Sequence, residues 1–299
     1  MVKNMNFEEK LSENARKTEK YLAECYVGFD EALKLISEAE QYSLLSGGKR
    51  IRAFLVFELC RMLGKTEAEA APFACAIEMV HAYSLIHDDL PCMDDDDYRR
   101  GKLTNHKVYG EAIAVLAGDA LLTKAFEQIA CNDKVSPQIA VEALKTLSKA
   151  AGDLGMIGGQ VLDLQAESTE ERSLEMLERI HRLKTGALIK AAAKLGCLAA
   201  GVSCESDIMR DAEEYAEKIG LAFQIVDDIL DVVGDSTILG KNVGSDKENN
   251  KLTFMSFYSV EEATALARKL TDEAVEVISK YSNSEDLVLL AEYLLKRNH

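Results

Sequence analysis

Two groups of aspartates could do chemistry in this chain: Asp88, Asp89 and Asp94 in HDDLPCMDDDDYRRG, and Asp227, Asp228 and Asp231 in QIVDDILD. Each stands at the end of an apolar, helix-like run. Aspartate is a poor helix former, and an ionised carboxylate loses hydration beside a core, so each group needs a compensating partner. A hard divalent cation is such a partner. Mg²⁺ takes oxygens from one or two carboxylates and completes its shell with water and substrate phosphates, and Mn²⁺ is a candidate substitute. The pattern points to metal-assisted diphosphate chemistry. Taken alone, Asp94 to Asp97 would read as a helix cap or a solvated loop. SLIHDD and AFQIVDD carry apolar residues right up to a carboxylate pair, which a solvated surface does not require.

The spacing differs between the two groups. Asp227 and Asp231 are four apart and share one face of a helix, with Asp228 about 100° around the axis. Asp88 and Asp94 are six apart, on different faces of a straight helix, but Pro91 lies between them. A proline there clashes with the carbonyl of His87 and removes a donor, so the helix should kink or end and let Asp94 fold back toward Asp88.

Basic residues supply the complement. Arg99 and Arg100 close the first acidic segment, and guanidinium groups suit bidentate phosphate contacts as well as ion pairs with Asp94 to Asp97. GGKRIR (Gly47 to Arg52) is expected to open a helix, with Lys49 and Arg52 sharing a face near its positive end. His81 lies seven residues before Asp88, on the same face, and serves either as a phosphate donor or as a satisfied core histidine. Lys184 with Thr185, Lys241 and Lys251 read in isolation as surface groups. Gln224 and the GGQVLD segment put polar groups on apolar helices, where each needs a buried partner such as water, metal-bound water or Lys184.

The elements that must carry these groups are helical. The chain has 299 residues, 47% hydrophobic and 29% charged, and only three prolines, enough for one large globular domain. Apolar residues recur at three- and four-residue spacing in helices at about 7–25, 29–44, 48–63, 67–90, 110–131, 136–152, 173–200, 205–233, 259–281 and 284–297. No strand pattern competes. The expected architecture is all-α, a single domain over residues 1–299 with about ten or more helices around a central cavity. Ala74 to Ile86 and Ala187 to Ala200 are apolar nearly all round and should be buried. Loops at 92–109 and 234–252 come directly after the two acidic clusters, a repetition that suggests facing helices and clusters at one end of a shared cavity.

A formal charge of −16 excludes nucleic acid and an anionic membrane surface as partners, although local cations can still attract a small anion. The charged N-terminus and the lack of a long apolar run predict a cytoplasmic protein that does not span a membrane. Seven cysteines without CxxC pairs predict reduced, buried thiols.

GGKRIR, SLIHDDLPCMDDDDYRRG, GGQVLDL, RIHRLKTGALI and GLAFQIVDDILDVVGD, in this order, resemble the trans-isoprenyl diphosphate synthases, and most closely the bacterial farnesyl diphosphate synthase group. The resemblance covers essentially the whole chain. It implies the isoprenoid synthase fold, a homodimer, and head-to-tail condensation of isopentenyl diphosphate with dimethylallyl or geranyl diphosphate. By position it implies that Asp88, Asp89, Asp94, Asp227, Asp228 and Asp231 bind metal, with Asp89 and Asp228 candidates for support of the metal shell. Lys49, Arg52, His81 and Arg100 match the isopentenyl diphosphate site. Arg99, Lys184, Thr185, Gln224, Lys241 and Lys251 match the allylic diphosphate site. Negative charge grows on the departing diphosphate, so cations there stabilise the transition state more than the ground state. Ala53 replaces the family's proline after GGKRxR, and Lys251-Leu-Thr-Phe-Met255 replaces KxTYP; neither change removes a charge.

Tyr83 and Ser84 lie just over one turn before Asp88, where a ring would form a floor under the growing chain. This predicts a fifteen-carbon product, farnesyl diphosphate, with geranylgeranyl diphosphate as the alternative. An HD-type phosphohydrolase would need more metal-binding histidines than His106, His181 and His299 supply beside His81 and His87. A terpene cyclase would not need Lys49, Arg52 and Arg100. A non-catalytic prenyl synthase subunit should have lost an aspartate motif, and both are intact.

Overall fold

The computed structural model describes residues 6–26, 30–169, 172–233 and 251–296. The protein is all-α and divides into two compact units: 1–144 with 199–201, and 145–198 with 202–299.

In the first unit, helices α1 (Phe7–Glu24), α2 (Lys34–Leu44), α3 (Ile51–Met62), α4 (Glu67–Asp88), α5 (Asn105–Tyr109) and α6 (Glu111–Ala130) succeed one another along the chain. The caps are written in the sequence. Asn6 with Glu9, and Thr66 with Glu69, form reciprocal capping boxes that satisfy the free amides opening α1 and α4. Helix α4 is the centre of this unit and packs on α1, α2, α3 and α6. It is apolar around its whole circumference, and Phe73, Ile77, Met79 and Val80 are fully buried. Each such side chain contributes about 1.5–3 kcal/mol relative to exposure.

Helix α7 (Pro137–Ala151) runs across the boundary between units, and the second unit holds α8 (Met156–Ser168), α9 (Leu174–His181), α10 (Ala187–Ala199), α11 (Asp207–Val233), α12 (Val260–Ser279) and α13 (Glu285–Lys296). Helices α11 and α12 pack along each other, and Ile225, Val226, Phe254, Ala263 and Ala267 share one core cluster. One π-helical turn, Arg182–Gly186, joins α9 to α10.

Several expectations are corrected. The segment 92–109 is not all loop: Tyr98–Arg99 and Lys102–Leu103 pair as a two-stranded antiparallel hairpin, Tyr98 opposite Leu103. Arg100 and Gly101 between the strands both have positive φ, 53° and 74°, the backbone that tight hairpins favour. Helix α8 does not show in the periodicity because Gly155, Gly158 and Gly159 dilute its apolar pattern. The 173–200 helix is interrupted by the π turn. Helix α3 begins at Ile51, so Lys49 lies outside it and shares no helical face with Arg52. Of the seven cysteines, only Cys60, Cys75 and Cys197 are buried; Cys25 and Cys204 are half-buried, and Cys92 and Cys131 are exposed.

Candidate active site

Pro91 ends α4 as its chemistry requires. The helix stops at Asp88, and the next residues form turns that bring the Asp94 amide to the Asp88 carbonyl at 2.9 Å. Asp88 is half-buried and Asp94 exposed. Asp89 is buried and turned elsewhere: its Oδ1 accepts from Arg99 Nε at 2.7 Å and lies 2.6 Å from Arg99 NH2. Burial pushes the Asp89 carboxyl above its ordinary value while the Arg99 contact pulls it back.

The hairpin is what aims the two arginines. Tyr42 Oη donates to the Leu103 carbonyl at 2.7 Å, and Asn105 Nδ2 donates to Ala39 O at 2.8 Å and Ser43 Oγ at 2.9 Å, so α2 holds both the hairpin's return strand and the start of α5. Arg99 then faces Asp89. Arg100, at the turn, donates to the Gly47 carbonyl and to Ser46 Oγ at 3.3 Å. Its guanidinium lies directly over Gly48, where an added Cβ would meet Arg100 Cζ at 2.8 Å. The glycine pair of GGKRIR therefore makes room for an arginine more than fifty residues away.

These groups line one pocket of the first unit, walled by Arg50, His81, Arg99, Arg100 and Lys102, with Asp89 among them. Burial pushes His81 well below its ordinary value, helped by the neighbouring arginines, so the imidazole is neutral and acts as a hydrogen-bonding group. Burial also lowers Arg52 and Arg100, which repel each other. Arg50 is not among the candidates from sequence, yet it is buried at this wall, bonded to Leu44 O at 2.5 Å. Its signal is GGKRIR itself, where it stands between Lys49 and Arg52.

Tyr83 is buried, 5% exposed, one turn before Asp88; its hydroxyl has no hydrogen-bond partner among the described residues, and burial followed by the charge of Asp88 pushes it up to about 12. Ser84 Oγ donates to the His81 carbonyl at 2.9 Å.

In the second unit, Asp227 and Asp231 stand one turn apart on α11, both half-buried. Asp228 is buried and engaged: its Oδ2 accepts from the Phe254 amide at 2.7 Å and lies 3.8 Å from His181 Nε2. Burial pushes His181 down to about 4, and its ring stacks on Phe254 at 5.3 Å. Lys184 is no surface lysine. The π turn directs it to Asp163 of GGQVLD, with Nζ 2.6 Å from Oδ2, one of the three kinds of partner open to that segment. Thr185 Oγ1 donates to Gln224 Oε1 at 3.1 Å. Gly159 permits this, because a Cβ there would fall 2.2 Å from the Lys184 amide nitrogen. Lys251 is half-buried in the segment leading to Phe254. Lys241 lies outside the described residues.

Among the described residues, no three His, Cys, Asp or Glu side chains form a ready-made metal cage. Each unit still offers donors that fit Mg²⁺. Asp88 and Asp94 in the first unit, and Asp227 and Asp231 in the second, are hard oxygen donors, and such an ion takes only one or two carboxylates before water and phosphate complete its shell. Asp89 and Asp228 spend oxygens on Arg99 and the Phe254 amide, contacts suited to orienting their neighbours.

The polyprenyl synthetase family model matches residues 33–293. Geranylgeranyl diphosphate synthase of Cyanophora paradoxa is 46% identical over 266 residues, covering 88% of each chain. Among solved structures, an FPP/GFPP synthase from Zymomonas mobilis superposes with a TM-score of 0.86 at 35% identity, over 97% of this chain and 99% of its own. A geranyltransferase from Helicobacter pylori, complexed with magnesium and isoprenyl diphosphate, gives a TM-score of 0.86 at 32% identity, over 99% and 100%. Among the described residues, no helix is long and apolar enough to cross a membrane.

Proposed function

Because the chain belongs to the polyprenyl synthetase family, whose fold it has, and is a prenyltransferase, we propose that it condenses isopentenyl diphosphate head-to-tail with allylic diphosphates to make geranylgeranyl diphosphate. The observation that carries the reaction is the basic pocket of the first unit, set beside the proline-ended aspartate segment. Arg52, Arg100, Lys49 and neutral His81 would hold the diphosphate of isopentenyl diphosphate by charge-assisted contacts. Arg99, Lys184, Thr185, Gln224, Lys241 and Lys251 would serve the allylic diphosphate. Mg²⁺ at Asp88, Asp94, Asp227 and Asp231 would neutralise charge on the leaving diphosphate.

The C1–O bond of the allylic substrate breaks with its electron pair going to diphosphate. The isopentenyl double bond then attacks C1, and a proton leaves C2 of that unit to form the new double bond. Lys184 and Arg99 meet the growing negative charge, so they act more strongly on the transition state than on the bound substrate. Asp163 and Asp89 hold these two cations in the absence of substrate. One polyprenyl synthase domain, homodimeric assembly, a cytoplasmic location and Mn²⁺ as a substitute ion belong to the same proposal.

The name of the Cyanophora relative supports a twenty-carbon product over the fifteen carbons expected from the sequence. Farnesyl diphosphate remains a second reading on one observation, the buried Tyr83 ring one turn before Asp88. Supplying farnesyl diphosphate as the only allylic substrate separates them. Extension to twenty carbons supports the first reading; no extension, together with longer products from Tyr83→Ala, supports the second.

A further inference from the structure

Helix α3 opens without a cap of its own. Its N-cap residue is Arg50, held at φ 50° and ψ 43°, a left-handed backbone that a non-glycine residue adopts only when its surroundings impose it, and no side chain of the cap region satisfies the first amides. The missing acceptor comes from α4. Glu78 Oε1 accepts from the Ala53 amide at 3.1 Å, and Glu78 Oε2 lies 3.3 Å from Arg50 NH1. Glu78 is 2% exposed, so both contacts are shielded from bulk solvent.

This carboxylate stands within a group of cations that repel one another. Arg50 and Arg100 line the same pocket, Arg52 is close enough to be repelled by Arg100, and Glu78 is the largest favourable charge acting on both Arg52 and Arg100. Glu19 lies 3.4 Å from Arg50 NH2 and acts on Arg100 more weakly than Glu78 does. Without Glu78, the arginines would repel one another, and the backbone from Arg50 to Ala53, which carries Arg52, would lose its anchor on α4. An arriving diphosphate would first have to gather them.

We infer that Glu78 is a positioning residue of the isopentenyl diphosphate site, fixing the first turn of α3 and the arginines beside it so that the anion meets a ready-formed cradle. The inference rests on the proposed reaction. Two physical effects predict opposite signs. Glu78 is negative and close, so by charge alone its removal should tighten anion binding. Its role as an anchor predicts the reverse, because a preformed site costs less to occupy.

Glu78→Gln removes the charge and keeps an acceptor for Ala53, while Glu78→Asp keeps the charge and shortens the reach. Melting curves first identify which variants are folded; the milder Glu78→Asp is the one to use if Glu78→Gln is not. Affinity for inorganic pyrophosphate is then measured by calorimetry in metal-free buffer, alongside steady-state kinetics. The expected result is affinity reduced about tenfold or more and KM for isopentenyl diphosphate raised by a like factor, with kcat and allylic KM within about twofold of wild type. Unchanged or tighter pyrophosphate binding, or a fall in melting temperature alone, would overturn the role of Glu78. Absence of prenyl product from the wild-type enzyme would overturn the proposed reaction instead, and the pyrophosphate affinities would still decide the case of Glu78.

Discussion

Replacing Gly48 with alanine should weaken the use of isopentenyl diphosphate far more than the addition of one methyl group suggests. The new Cβ would stand 2.8 Å from Arg100 Cζ and 2.9 Å from NH1. Carbon atoms settle at about 3.5–4.0 Å, so the guanidinium must retreat by roughly 1 Å. Arg100 is held by the Gly47 carbonyl and Ser46 Oγ, and that retreat disturbs both. Hydrogen bonds to a charged group contribute about 1.5–3 kcal/mol, which corresponds to about 10- to 150-fold in KM for isopentenyl diphosphate. Gly48 also has φ +110°, and an L residue there costs about 1–3 kcal/mol of stability. Gly47→Ala separates the two effects, since Gly47 has φ +86° but open space where its Cβ would go. Both variants should melt earlier, and only Gly48→Ala should show the large rise in KM. Equal KM values for the two variants would refute the argument that the glycine seats Arg100.

Three further outcomes rest on contacts of the same kind. Gly159→Ala would drive a Cβ into the backbone of Lys184, and overpacking of this kind should lower stability by about 1–3 kcal/mol and raise KM for the allylic substrate; a wild-type melting curve would contradict it. Burial pushes the Cys60 thiol up to about 12. Unfolding releases a thiol that ionises near 9, so its contribution is complete below pH 9 and is lost as pH rises toward 12, a difference on the order of 4 kcal/mol. Denaturant titrations of Cys60→Ala should accordingly show a shallower loss of stability across that window than wild type. Chelation of divalent ions should abolish turnover and Mg²⁺ should restore it, while melting in the absence of substrate changes little; full activity in excess chelator would contradict the metal's part.

Much of the site was legible because its chemistry is written in local spacing. Asp227 and Asp231 needed only the helical period, and Pro91 alone required the chain to turn between Asp88 and Asp94. Burial of α4 and α10 could be read from apolar residues on every face. The features that escaped depend on contacts distant in sequence. Nothing near Gly48 announces that Arg100 will lie over it, and nothing in Glu78 signals that its carboxylate will cap a different helix. The hairpin was hidden because each strand has two residues and its turn uses Arg-Gly in place of the commoner Asn-Gly. The π turn inserts an extra residue without changing composition, so the lysine it redirects looked like any surface lysine.

The central claim is carbon–carbon bond formation between two diphosphates. The most direct measurement incubates the purified protein with Mg²⁺, radiolabelled isopentenyl diphosphate and dimethylallyl diphosphate, following both prenyl chain length and free pyrophosphate. Longer prenyl diphosphates are expected, with one pyrophosphate released for each isopentenyl unit incorporated. Pyrophosphate or phosphate release without incorporation of label into a longer chain would contradict it.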